Sequence, residues 1–177
     1  MRFTQTPLAG AWLIEPDRNE DERGFFARTY DRDELAARGM DPSVVQCNTS
    51  FNLRAGTLRG LHFQTAPHGE PKLIRCTRGA IFDVVVDLRR HSPTHTGWFG
   101  AELSAENGRA LHVPEGLAHG FQTLQDESEV LYMMGHDYVP DAASGVRWDD
   151  PAFAIAWPAV TERVITARDR AYPDYRV

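Results

Sequence analysis

The chain has 177 residues, 42% hydrophobic and 25% charged, which fits one soluble domain with a sizeable core spanning residues 1–177. A formal net charge of −6 provides no bulk field to draw nucleic acid or an anionic membrane, so an anionic ligand needs locally grouped Arg, Lys and His. Cys47 and Cys76 form no CxxC and no zinc-like spacing, which predicts reduced thiols in a cytoplasmic protein. The start lacks the apolar core of a signal peptide, and no run approaches the length of a membrane span.

Taken in chain order, Ala11-Trp12-Leu13-Ile14 is a strand ended by Pro16, and residues 17–22 (DRNEDE) read as a solvated turn. Arg23-Gly24-Phe25-Phe26 and then Thr29-Tyr30 give the next strand. Residues 31–39 predict a short helix, with Asp31 as cap, Glu34 at the capping-box position and Gly39 as the stop. Val44 to Phe51 is a strand, and a turn at residues 54–56 leads into Arg59-Gly60-Leu61-His62-Phe63-Gln64. Lys72 to Cys76 and Ala80 to Leu88 follow. The second is the clearest strand, with Asp83, Val85 and Asp87 on one face and Phe82, Val84, Val86 and Leu88 on the other. Further strands are expected at 98–103, 110–113 and 129–134. Residues 146–151 and 155–158 read as tail segments packed over a sheet, and residues 166–172 as a turn or two of helix. Short strands with Gly/Pro turns at roughly 8–12-residue spacing argue an all-β jelly roll with short peripheral helices, whose inward positions can line a small-ligand cavity.

The stretch 59–64 carries the chemistry. A histidine beside fixed cations on a β scaffold is a candidate general base, since an unperturbed imidazole titrates close to neutral pH. Strict alternation puts Arg59 and His62 on opposite faces, so both meet one ligand only where the strand twists or bulges, or where the ligand wraps its end. No second histidine follows at ligand spacing; Gln64 stands there instead, so no metal is expected. By default Tyr132 is a core tyrosine, Lys72 a strand-end lysine, Asp169 a tail aspartate, and Arg23 a turn residue paired with Asp21. Asp83 is either a ligand contact or a structural hydrogen-bond partner. His91, His95, His112 and His136 are expected at the surface, and Cys47 is expected to point away from the site.

In order along nearly the whole chain stand RGFF (23–26), QCN (46–48), RGLHFQ (59–64), DVVVDLR (83–89), SPT (92–94), VPEGLAHGF (113–121), LYMMGHDY (131–138), WDDP (148–151), WP (157–158) and TARD (166–169). This set closely resembles the dTDP-4-dehydrorhamnose 3,5-epimerase family of cupin-type, double-stranded β-helix proteins. The resemblance implies a homodimeric isomerase of deoxysugar biosynthesis, with a nucleoside-diphosphate 4-keto-6-deoxyhexose as substrate and no metal or redox cofactor. It implies His62 as base, Asp169 as its carboxylate partner, Lys72 as the oxyanion's cation and Tyr132 as acid. Arg23, Arg59 and His119 fall on diphosphate- and substrate-contacting positions, Gln46 and Asn48 on base-contacting ones, and Tyr138 on the stacking aromatic. Two positions depart: Arg28 and Ala143 stand where the family usually has glutamates that help bind the nucleotide. That leaves the base identity open and makes Arg28 a candidate contact to a phosphate or to a different base. The alternatives are a 3- or 5-only epimerase, a ketoisomerase, or a non-catalytic sugar-nucleotide-binding jelly roll.

Overall fold

A computed structural model describes residues 1–176. Its strands are β1 (Arg2–Gln5), β2 (Trp12–Glu15), β3 (Arg18–Asp21), β4 (Gly24–Ala27), β5 (Gln46–Asn52), β6 (Leu58–Gln64), β7 (Lys72–Arg78), β8 (Ala80–Asp87), β9 (Trp98–Ser104), β10 (Ala110–Val113), β11 (Leu117–Thr123), β12 (Ser128–Met134) and β13 (Ala143–Gly145). Six of them form one antiparallel sheet in the order β1-β2-β10-β7-β12-β5, and five form a second, β13-β6-β11-β8-β9. The two sheets face each other as the jelly roll expected from the strand spacing.

Burial follows strand alternation. Ile74, Cys76, Leu111, Val113 and Val130 from the larger sheet meet Ile81, Val85, Leu103, Leu117 and Phe121 from the smaller one, all at most 3% exposed. The outer face of the smaller sheet (Val84, Val86, Ala118) is covered by the chain after β13, through Val146, Phe153, Ile155 and Trp157, as the tail reading anticipated. On the larger sheet Ile14, Leu73 and Ala110 are covered by Met40 and by Leu35 of α1 (Arg32–Ala36). Asp31 caps α1 by accepting from the amides of Asp33 and Glu34.

Several expectations need correction. Residues 17–22 are not a plain turn: β3 and β4 pair as a two-stranded hairpin outside both main sheets. Its charged, exposed residues hid it, because a ribbon that buries neither face shows no alternation. Thr29 and Tyr30 lie outside any strand. The edge strand β1 was not anticipated. His112 is 2% exposed, because β10 turns it toward the segment that follows α1, and burial lowers its pKa.

One backbone feature aims the site. β6 pairs with β11 with His62 opposite His119, and the register shifts between His119 and Phe121. Gly60 sits there at φ +111°, and a Cβ on it would lie 2.6 Å from Gly120 Cα and 2.7 Å from the His119 carbonyl oxygen. This irregularity brings Arg59 and His62 to one cavity despite their alternate positions. Gly60→Ala is expected to lose at least about 2 kcal/mol of stability through left-handed strain and backbone collision. Urea unfolding checks this, and a midpoint unchanged from wild type contradicts it.

Candidate active site

Beyond the apolar core the two sheets enclose a cavity of about 600 Å³. One wall is the smaller sheet, with Arg59 and His62 on β6 and His119 on β11; the other is the larger sheet, with Gln46 and Asn48 on β5, Lys72 on β7 and Tyr132 on β12. Asp169 enters from α2 (Ala167–Arg170), and Tyr138 stands at the rim, 55% exposed.

His62 Nε2 lies 2.8 Å from Asp169 Oδ1, and the Gly60 amide donates to Asp169 Oδ2 at 3.4 Å. Asp169 is 4% exposed. Burial alone would raise its pKa, but the hydrogen bonds and charge of His62, with the Gly60 amide and Thr166, hold it below the usual carboxylate range. An ionised carboxylate only accepts, so Nε2 carries the proton and Nδ1 is left as the nitrogen able to take one. The His62 side chain is 43% exposed, which leaves it open to the cavity. Thr166 caps α2 by accepting from the Asp169 amide, and the Tyr172 ring meets the imidazole edge-on at 6.3 Å, so the C-terminal segment fixes this pair.

The other polar groups are also backed by partners. Lys72 Nζ is 2.8 Å from Glu70 Oε1, with both side chains under 9% exposed. Arg59 Nε donates to Asn52 Oδ1 at 2.8 Å. His119 Nε2 is 2.7 Å from Asp83 Oδ1; burial pushes the Asp83 carboxyl up, opposed by His119 and Lys72. The Tyr132 hydroxyl lies 3.3 Å from Ser50 Oγ, and burial pushes its pKa well above the ordinary phenol value. The His119 ring meets Tyr132 edge-on at 6.1 Å.

Three of the candidate residues are not on this cavity. Asp83 is fully buried behind His119, so it is a partner to that imidazole and not itself a ligand contact. Arg23 is 84% exposed and paired with Asp21, and Arg28 pairs with Asp31 at 2.7 Å; neither lines the cavity of its own chain. Ala143 does line it. Cys47 faces away, as alternation predicted. Glu70, Ser50 and Arg168 line the cavity and were missed, as was Asn52 behind Arg59. Ser50 was legible as the next inward position after Gln46 and Asn48, and Arg168 as the neighbour of Asp169 in TARD, whereas no local pattern marks Glu70 or Asn52.

The Asp169 shift fixes a pH dependence. Its native pKa lies below the unfolded value of about 4, so the pair's stabilisation is present above that pH and fades as pH falls through the native value. The stability gap between wild type and Asp169→Asn is therefore expected to narrow steadily as pH falls below about 5. Urea titrations at each pH measure it, and a gap that widens on acidification contradicts the assignment.

The sequence matches the dTDP-4-dehydrorhamnose 3,5-epimerase family over residues 5–176. It is 43% identical over 173 residues to a dTDP-4-dehydrorhamnose 3,5-epimerase of Sinorhizobium fredii, covering 98% of this chain and 89% of that one. A dTDP-4-dehydrorhamnose 3-epimerase of Streptomyces niveus is 40% identical over 171 residues, covering 96% and 82%. The crystal structure of the Bacillus anthracis dTDP-4-dehydrorhamnose 3,5-epimerase with TDP and PPi bound superposes with a TM-score of 0.94 at 45% identity, covering 98% of this chain and 99% of that one. Sequence, fold and the paired imidazole and carboxylate on one cavity agree: the chain belongs to the dTDP-4-dehydrorhamnose 3,5-epimerase family.

Proposed function

We propose that this protein is an isomerase that inverts carbons beside the ketone of a dTDP-linked 4-keto-6-deoxyhexose. The observation that carries this reading is the placement of the His62–Asp169 pair on one wall of the cavity and Tyr132 on the sheet that faces it. A proton beside a carbonyl is weakly acidic, and inversion requires its removal from one face of the ring and the return of a proton to the other. His62 Nδ1 takes the proton and Asp169 steadies the imidazolium. The C–H electron pair moves into the ring and the carbonyl oxygen becomes an enolate oxyanion, held by the largely buried Lys72 ammonium. Tyr132 then gives its proton to the opposite face. Because burial disfavours the phenolate, the resting form at neutral pH is the acid that this step uses; afterwards the imidazolium releases its proton to solvent and the phenolate takes one back.

Each cavity-facing histidine is matched to one carboxylate, and among the described residues no group of three or more His, Cys, Asp or Glu is placed to hold a metal ion. That donor set suits acid–base chemistry without a cofactor. The nucleotide end is supported by Gln46, Asn48 and the exposed Tyr138 ring, and the relative crystallised with TDP binds such a nucleotide. A 3-only epimerisation needs the same kind of base, and the Streptomyces niveus relative carries that activity in its name. His62→Ala is expected to cut turnover at least about a hundredfold while dTDP binding stays within a few fold. Calorimetry and a coupled rate assay measure the two; retained turnover in His62→Ala, or no turnover by wild type on any 4-keto sugar nucleotide, contradicts the reading.

The protein is read as a single-domain homodimer in the cytoplasm. The β3–β4 hairpin leaves Phe25 56% and Phe26 74% exposed along β4, an apolar stretch that a second copy would cover. The same hairpin presents Arg23 with only an exposed partner, Asp21. In the dimer its guanidinium, and that of Arg28, reach the diphosphate end of the neighbouring cavity. No helix of the described residues is long and apolar enough to cross a membrane. Sedimentation is expected to give a dimer at micromolar concentration, and Arg23→Ala to weaken dTDP binding about tenfold with folding intact. A monomer with full dTDP affinity contradicts this.

A further inference from the structure

Gln64 is the polar side chain of the RGLHFQ stretch that has no role in the chemistry or the ligand contacts above. It is 4% exposed, lines the cavity, and stands two residues after His62 at the end of β6. Its carboxamide is fully engaged. Oε1 accepts from the Val139 amide at 2.6 Å, and Nε2 donates to the carbonyls of Asp137 and His68, each at 3.1 Å. Asp137 and Val139 are the two neighbours of Tyr138, so one buried amide grips the backbone on both sides of that residue. The third bond ties in the loop that runs on to Glu70 and Lys72.

Tyr138 needs such a hold. Its segment follows β12 in irregular backbone, and its ring is 55% exposed, so side-chain packing fixes it little. A half-exposed aromatic can offer a defined face to a ligand only if its backbone is held, and preorganisation of that face lowers the ordering cost of binding. Only a carboxamide supplies one acceptor and two donors from a single planar group. A carboxylate in its place would satisfy Val139 but turn an oxygen toward two carbonyls, and an aliphatic side chain would leave all three backbone groups without their partner.

We propose that Gln64 is a positioning residue for the nucleotide: its amide sets the place of the Tyr138 ring at the cavity rim and thereby the affinity for the nucleoside-diphosphate part of the substrate, apart from the proton transfers at His62. This rests on the reading of the cavity as a nucleotide-sugar site.

A double-mutant cycle with dTDP as the probe tests it. Gln64→Leu, Tyr138→Ala and the double variant are titrated by calorimetry, and KM and kcat are measured for each. Gln64→Leu is expected to weaken dTDP binding about tenfold and to raise KM to match, with a much smaller fall in kcat and an unchanged pH profile of kcat. The double variant is expected to bind no more weakly than Tyr138→Ala alone, since Gln64 acts through that ring. Wild-type affinity in Gln64→Leu, additive losses in the double variant, or a loss confined to kcat overturns the proposal. If Gln64→Leu does not fold, the isosteric Gln64→Glu carries the same cycle with the same expected and opposing results. Failure of wild type to bind dTDP overturns the nucleotide reading itself, and this proposal with it; wild-type binding with no Gln64 effect overturns this proposal alone.

Discussion

Two strand backbones touch where Gly60 of β6 meets Gly120 of β11. A Cβ on Gly60 would strike Gly120 Cα at 2.6 Å, and one on Gly120 would strike the Arg59 carbonyl oxygen at 2.6 Å. The contact shifts the register between His119 and Phe121, and that shift turns Arg59 and His62 to the same side of the sheet. The Gly60 amide, freed from regular pairing, reaches the Asp169 carboxylate. Strand geometry, the direction of the base and the seat of its partner all depend on this one close approach, and only glycine permits it.

Around that point the cavity is electrostatically closed. His62 is backed by Asp169, His119 by Asp83, Lys72 by Glu70 and Arg59 by the Asn52 amide. A net charge of −6 is thus compatible with an anion site, because the buried carboxylates are used to hold cations and imidazoles in place. Breaking such a pair by deleting one member leaves an uncompensated charge, at a cost of about 3–5 kcal/mol where burial is complete. The partners behind the site are therefore as constrained as the groups that face the ligand. Gln64 extends the pattern to the rim with a neutral amide, where the task is to hold backbone instead of charge.

Most strands of the two sheets were legible as short β-branched runs between turns, and Ala80–Asp87 most clearly, because both of its faces are buried and its sequence is almost continuously apolar. The β3–β4 hairpin was not, since it pairs with neither sheet and leaves Phe25 and Phe26 exposed. The acid–base set came from the family resemblance, and the geometry brings its members to one cavity. Asp83 was read onto the right face of β8, but sequence could not say that His119 stands between it and the ligand. Glu70 and Asn52 escaped notice because their roles are contacts between strands. Gln64 was legible only as a residue that is not a metal ligand; its grip on residues 137 and 139 spans more than seventy positions, a distance at which local pattern is silent.

The central claim is that a proton leaves one face of the sugar through His62 and one returns to the other face from Tyr132. The most direct measurement is NMR of a dTDP-linked 4-keto-6-deoxyhexose incubated with Tyr132→Phe in deuterium oxide. With the base intact, the accessible His62 ring trades its proton for solvent deuterium and can return it only to the face it came from. The account predicts deuterium incorporated beside the ketone with configuration retained and inversion lost. Inversion at the wild-type rate, or no exchange at all, would contradict it.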